Sequence, residues 1–197
     1  RPATSQQSFG YQRAEVLAID TSEAAASPGV FAVVTAKDVP GENQIGVTLP
    51  DQPLLVETRA RMMADRLALV AADTNENAIA AAAKVRVRYR ELPVVTDPDQ
   101  ALKPGATALH EQGNLIARKN VVKGDLAKGF AAAKHVVEAT YAVGYQEHAY
   151  LENNGVVAVP EADGRVAIHA SAQCPFYIQK AVARVLDSHL DTTSYQR

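Results

Sequence analysis

The stretch "VGYQEHAYLENNGVVAV", residues 143–159, sets Gln146, Glu147, His148 and Glu152 between apolar runs. Residues of these types can hold a metal, act as an acid/base pair, or line a polar turn between strands. In an extended segment His148, Tyr150 and Glu152 fall on one face and Glu147 on the other. Only two metal-capable side chains then converge, whereas a closed zinc site takes about four ligands. A hydrogen-bonded polar cluster at a strand end explains the same residues without a metal. Glu147 and Glu152 read as a carboxylate pair for glycoside cleavage have no neighbouring sign of a sugar cleft. A second candidate region is "SAQCPF", residues 171–176. Cys174 precedes a helix N-terminus, where the dipole favours a thiolate and hence nucleophilic chemistry. The sequence assigns it no base, and small buried cysteines are common. Gln173 lies where a strand ends and a helix begins, at the mouth of the kind of crevice in which α/β structures hold ligands. The plainer reading makes it a hydrogen-bonder at a helix end. GxGxxG, Walker A, HExxH and GxSxG motifs are all missing from the sequence.

The elements that must position these residues follow from periodicity and punctuation. "AEVLAID" (14–20) alternates as a strand, and Asp20 or Thr21 can cap a short alanine helix that Pro28-Gly29 ends. "VFAVVT" (30–35) and "LALVAAD" (67–73) are continuous apolar runs, read as buried strands, and 36–53 reads as a loop. "TNENAIAAAAK" (74–84) is a helix capped by Thr74, and "VRVRYREL" (85–92) alternates as a half-buried strand. Residues 67–92 thus read as a βαβ unit. The Pro/Gly-rich stretch 97–114 is the expected domain boundary, with one helical turn started by Asp97-Pro98. Beyond it come a helix over 124–134 capped by Asp125 and a long alternating strand, "HVVEATYAVGY" (135–145). Strands 155–160 and 165–171 read as a hairpin about Asp163-Gly164. Pro175 opens an amphipathic helix over 175–187, with Ile178, Ala181, Val182, Val185 and Leu186 on its apolar stripe.

Composition bounds the partners. The 197 residues carry 20 Lys plus Arg against 22 Asp plus Glu, interspersed, for a formal charge of −2. No basic stripe results, which argues against nucleic acid as a partner. With 47% apolar residues a sizeable core can form. The length suits one ordinary domain, or a small domain with part of another. No run approaches the roughly 20 apolar residues of a membrane span, and no signal peptide opens the chain, so no membrane is expected. The single Cys174 excludes an internal disulfide and fits a reducing cytoplasm. Arg1 as the first residue suggests a processed, trimmed or excised chain.

Read in order, "TSEAAASPGVFAVVTAKDVPGENQIGV", "PDQPLL", "LALVAADTNENAIAAAAKVRVRYRELPVV", "HEQGNLI", "KGDLAKGFAAAKHVVEATYAVGYQEHAYLE" and "SAQCPF" form a series over roughly residues 14–186. The series resembles the molybdenum-binding subunit of the xanthine dehydrogenase/aldehyde oxidase family of molybdenum hydroxylases. The resemblance implies an α/β (α+β) chain with an a/b hammerhead domain over 1–110 and the opening of the first molybdopterin-binding domain over 111–197. It implies a molybdopterin-type molybdenum cofactor held through its dithiolene with no protein ligand, so that Glu147, His148 and Glu152 become a polar scaffold on the cofactor side. "AQCPF" matches the family's Ser/Thr-Gln-x-Pro/Ala stretch, whose Gln amide approaches the molybdenum oxo group. Gln173 inherits that catalytic and cofactor-facing role, which an amide N–H donor can fill without displacing a ligand. Cys174 falls at a position that varies in the family.

The activity implied is oxidation of an aldehyde or N-heterocycle with water as oxygen source. Electrons would leave through 2Fe–2S and FAD modules on other domains or subunits of an oligomeric, cytoplasmic assembly that includes the remainder of the molybdenum subunit. The family's "GGGFGGK"-like loop is expected within about two dozen residues of Gln173, where this chain instead reads "DSHLDTTSYQR". The later catalytic glutamate is not in the sequence, and the opening "RPATSQQSFGYQR" departs from the family's Ser-Pro-His entry. The chain alone is therefore expected to be inactive; the alternative reading is a non-catalytic hammerhead module serving assembly. Near "MMADRLALV" the family usually has Gly about Ala64 and Pro or Ala about Arg66, so a local difference in that turn is expected. Limited proteolysis should cut between about 97 and 118 before it cuts 67–92, because exposed Pro/Gly-rich loops are the preferred nicking sites. Early cleavage within "LALVAAD" would contradict a buried strand there.

Overall fold

A computed structural model describes residues 3–8, 13–47, 49–188 and 193–196. One unit comprises Arg1–Thr96 with Asn153–Arg197, and the other Asp97–Glu152. Strands β1 (Ala3–Ser8) and β2 (Ala14–Asp20) lead to a one-turn helix α1 (Ser22–Ala25) and strand β3 (Val30–Thr35). Of the two candidate caps for α1, Asp20 does the work. Its Oδ1 accepts from the Ser22 hydroxyl at 2.7 Å and from the Ser22 N–H at 3.0 Å, and Thr21 makes no side-chain cap bond. The hydroxyl, then the N–H, hold the Asp20 carboxyl below its ordinary range.

The expected loop over 36–53 contains a 3-10 turn (Ala36–Asp38) and two short paired strands, β4 (Gln44–Ile45) and β5 (Gln52–Pro53). Then come β6 (Arg59–Ala60), β7 (Arg66–Ala72), helix α2 (Asn75–Ala82) and β8 (Arg86–Glu91). Thr74 Oγ1 accepts from the Asn77 N–H at 3.2 Å, the cap its sequence position predicts.

These strands form two antiparallel sheets, ordered β1-β7-β3 and β6-β2-β8. Strand β7 is buried on both faces. Leu67 packs with Ala14, Val16, Val56 and Ala60, while Val70 packs under Ala81 and Ala82 of α2. The expected order of strand, helix and strand over 67–92 is present, but it does not close as a βαβ unit on one sheet. Strand β7 already has β1 on one edge and β3 on the other, so β8 finds no free edge there and pairs with β2 instead.

The second unit holds α3 (Pro98–Ala101), capped by Asp97, and α4 (Leu126–Ala132), capped by Asp125. Asp97 Oδ1 accepts from the Gln100 N–H at 2.7 Å, and Asp125 Oδ1 from the Lys128 N–H at 3.0 Å. Asn114 pins the loop between them, donating from Nδ2 to the Ala101 and Thr107 carbonyls and accepting the Leu109 N–H. The strand expected over 135–145 is not formed. An alternating segment becomes a strand only against a neighbour's backbone, and among the described residues none pairs with it.

Back in the first unit, β9 (Val156–Pro160) and β10 (Val166–Ala170) make the expected hairpin, in the register Val166↔Pro160. Its turn is closed by the Glu161 N–H to the Arg165 carbonyl at 2.8 Å and the Gly164 N–H to the Glu161 carbonyl at 3.1 Å. Helix α5 (Pro175–Val185) follows, then β11 (Thr193–Gln196), which pairs parallel with β10. The strand–helix–strand unit with parallel strands lies instead at 166–196. Residues 189–192 and 197 of the "DSHLDTTSYQR" tail lie outside the described residues.

Ala64 has φ 72°, the left-handed region that favours glycine. It turns the chain so that the buried Asp65 carboxylate accepts the Arg61 N–H at 2.7 Å and the Met62 N–H at 3.2 Å. A side chain in that region costs about 1–2 kcal/mol, and the added freedom of an unfolded glycine offsets about 0.4–1 kcal/mol of the relief. Ala64→Gly should therefore stabilise the chain by about 0.5–1 kcal/mol in urea unfolding. A loss of stability would show that the turn is not left-handed in solution.

Candidate functional site

Gln173 stands in the short link between β10 and α5. The ladder of β9 and β10 extends one step past the strand, the Ser171 N–H donating to the Gly155 carbonyl at 3.1 Å. Cys174 then occupies the N-cap of α5 with φ 57° and ψ 59°, a left-handed conformation, and makes no side-chain cap bond. Pro175 follows at the first helical position, where its missing N–H costs nothing. The residue before a proline already has a restricted backbone, so this junction stores strain of the kind found beside functional groups, on the order of 1–3 kcal/mol. The sharp reversal leaves Gln173 exposed, its amide without a hydrogen bond among the described residues.

The surroundings of Gln173 suit an acceptor-rich ligand. The first turn of α5 carries no acidic residue, and a helix N-terminus presents partial positive charge. An uncommitted neutral amide beside that end is a donor set that fits an oxygen-bearing, negatively charged group. The molybdopterin-type cofactor meets that description. Two further side chains flank the site: Phe176 is 75% exposed and Tyr177 51% exposed. Sequence reasoning passed over both. The available signal was that neither belongs to the apolar stripe of α5, which is half-buried at Ile178, Ala181, Val182 and Val185 and fully buried at Ala183. Leu186, placed on that stripe, is exposed. Cys174 is a free, exposed thiol, not a buried one, with no base in contact among the described residues.

The other candidates belong to the second unit. Glu147 and His148 are both strongly exposed and sit together: Glu147 Oε1 accepts the His148 N–H at 2.9 Å and lies 3.9 Å from His148 Nδ1. The contact is local, a side chain bonding the next residue's N–H, and the face expected to join His148 with Tyr150 and Glu152 is broken at Ala149, whose φ of 49° interrupts the extended path. Glu152 is exposed as well. Among the described residues no three His, Cys, Asp or Glu side chains stand close enough to hold a metal ion. The structure thus brings Glu147 and His148 together and leaves Glu152 outside their pair.

The chain is similar to known proteins along most of its length. The model of the aldehyde oxidase and xanthine dehydrogenase a/b hammerhead domain matches residues 10–93, and that of the molybdopterin cofactor-binding domain matches residues 109–193. A probable xanthine dehydrogenase subunit from Bacillus subtilis (strain 168) is 44% identical over 90% of this chain. Xanthine dehydrogenase 1 of Arabidopsis thaliana is 38% identical over 88% of it, and the nicotinate dehydrogenase large molybdopterin subunit of Eubacterium barkeri 31% identical over 88%. The chain spans 24%, 12% and 41% of these relatives' own lengths. Among solved structures, the aldehyde oxidoreductase from Desulfovibrio gigas superposes with a TM-score of 0.90 over 98% of this chain and 22% of its own, at 32% identity. Quinoline 2-oxidoreductase from Pseudomonas putida 86 gives 0.87 over 99% of this chain and 26% of its own, at 26% identity. Two family models in series, carried on the backbone path of such enzymes, make this chain a member of the xanthine dehydrogenase/aldehyde oxidase family of molybdenum hydroxylases.

Proposed function

We propose that the chain is part of the molybdenum-bearing subunit of a hydroxylase that oxidises an aldehyde or an N-heterocycle with water as the source of oxygen. The observation that carries this reading is Gln173, a free amide at the strained mouth of α5 within the molybdopterin-binding match. When bound, the cofactor supplies the two-electron oxidation. Gln173 Nε2–H donates to an acceptor on it, at the helix end where partial positive charge is already directed. Phe176 and Tyr177 offer exposed apolar surface on the same end of the helix. Glu147, His148 and Glu152 serve as a polar scaffold of the cofactor-binding half. In this reading the hammerhead domain occupies 1–110 and the opening of the first molybdopterin-binding domain 111–197.

The same reading includes partners. Ile116, Val121, Val137, Val143, Tyr145 and Leu151 are each 89% exposed or more. Soluble monomers rarely leave so many apolar side chains bare along one segment. The remainder of a molybdenum subunit is the surface that fits them, since the relatives are several times longer than this chain. The 2Fe–2S and FAD modules that accept the electrons belong to other domains or subunits of a cytoplasmic oligomer. No helix among the described residues is long and apolar enough to cross a membrane.

Two measurements test the reading. In the assembled enzyme, Gln173→Ala should lower kcat roughly ten- to a hundredfold, the low end of what a preorganised donor supplies. Molybdenum content should stay near wild type. Normal turnover would reduce Gln173 to a helix-end hydrogen-bonder, and loss of molybdenum would make its role structural. The second measurement uses the isolated 197-residue polypeptide. Because Gln173, Glu147, His148 and Glu152 are all exposed, it should carry no tightly bound molybdopterin, and stoichiometric molybdenum after purification would refute that.

A further inference from the structure

The far end of α5 is gripped by backbone from the hammerhead match. The Gly41 N–H donates to the Val185 carbonyl at 2.9 Å and the Glu42 N–H to the Arg184 carbonyl at 3.1 Å. These carbonyls belong to the last turn of α5, where the regular helical donors four residues on run out. The helix completes its own ending as well. The Ser188 N–H returns to the Ala183 carbonyl at 2.9 Å and the Asp187 N–H to the Arg184 carbonyl at 3.3 Å, with Asp187 left-handed at φ 50°. Arg184 Nε faces Glu42 Oε2 at 3.3 Å, an exposed pair of small energetic weight.

The grip has no slack and a firm root. A Cβ on Gly41 would overlap the Arg184 carbonyl oxygen and approach the Asp187 nitrogen to 2.8 Å, both backbone atoms that cannot swing aside. The next residue but one, Asn43, ties the loop to the core: its Nδ2 donates to the Leu55 carbonyl at 2.6 Å and its Oδ1 accepts the Leu55 N–H at 2.9 Å. Leu55 and its neighbour Val56 are both 1% exposed. The chain of contact runs from this core through Asn43, Glu42 and Gly41 to the last turn of α5. Eleven helical residues then carry it, over about 16 Å at 1.5 Å per residue, to Pro175, Cys174 and Gln173.

We propose that the Gly41–Glu42 clasp is a positioning device for Gln173. Resting on the functional reading of Gln173 given above, the clasp fixes the axis of α5 from its C-terminal end while β10 fixes it from the other. The strained Cys174 junction is thereby held in the one orientation that presents the amide. Gly41 and Asn43 are positioning residues, and neither needs to touch the cofactor.

Gly41→Ala is the test, read in two ways. In the 197-residue chain, hydrogen exchange should rise at least about tenfold over residues 173–188 and stay unchanged over 66–72, since only the grip is removed. In the assembled enzyme, kcat per bound molybdenum should fall roughly tenfold with KM nearly constant, a misplacement effect that cannot exceed the loss caused by Gln173→Ala. Glu42→Gln, which keeps the backbone bonds, should behave as wild type in both assays. Unchanged exchange over 173–188 overturns the clasp, whatever the enzyme does. Faster exchange with an unaltered kcat per molybdenum, while Gln173→Ala remains impaired, makes the clasp structural only and overturns the positioning role. If Gln173→Ala is itself silent, the functional reading has failed and the positioning role falls with it.

Discussion

Strand β7 is buried on both faces and paired on both edges, and the rest of the hammerhead unit is arranged around that constraint. Leu67, Ala68, Val70 and Ala72 are essentially inaccessible. A strand in that position must be covered on each side, and its residues must be small where an element comes close. Ala81 and Ala82 let α2 approach Val70 on one side, and Ala14 and Ala60 let the β2 sheet close on Leu67 on the other. Alanine-rich stretches such as 78–83 therefore reflect close approach as much as helix propensity. The ion pairs on this unit, Arg86 with Glu23 and Arg90 with Glu15, are exposed and add little. Removing methylenes from Leu67 would be far more damaging, because a cavity there opens between two sheets.

The same accounting applied to α5 explains how strain and order coexist in one short element. Every helix has orphan backbone groups at both ends. The C-terminal carbonyls of α5 are all satisfied, Ala183 by the return bond from Ser188, Val185 by Gly41, and Arg184 by both Asp187 and Glu42. At the N-terminus the helix begins after a left-handed non-glycine residue with no side-chain cap. A conformation that costs a kcal/mol or more persists only where the surroundings over-determine it. Here they do so through β10 on one side, paired with β9 and β11, and the gripped helix end on the other.

What was legible in the sequence was local. Thr74, Asp97 and Asp125 cap the helices they were expected to cap, because an oxygen acceptor two or three residues before a free N–H needs no tertiary help. The hairpin about Gly164 and the amphipathic α5 are equally local. Pairing was not legible. Periodicity identifies β8 as a strand but says nothing of which edge is vacant, so the competition of β1 and β3 for β7 could not be foreseen. The faces of 147–152 were misread for a related reason, since one left-handed alanine cancels the two-residue period and nothing about alanine announces it. The position of Gln173 between β10 and α5 was legible because a strand end and a helix start can both be read from pattern. Phe176 and Tyr177 needed their exposure to be seen.

The bare segment 135–151 then becomes intelligible as the converse of β7. Its alternation encodes a strand, and its side chains at Val137, Tyr141 and Val143 are of the kind a sheet buries, yet each is 88% exposed or more. A chain that alternates without a neighbour bears two costs: apolar surface left in water and backbone groups bonded only to solvent. An adjoining strand would remove both at once. The whole path superposes on the aldehyde oxidoreductase from Desulfovibrio gigas, whose chain is several times longer. A conformation that makes poor sense for these residues alone is thus the conformation found within a larger body. The local sequence carries the pattern of a buried strand, and the described residues supply no neighbour to bury it.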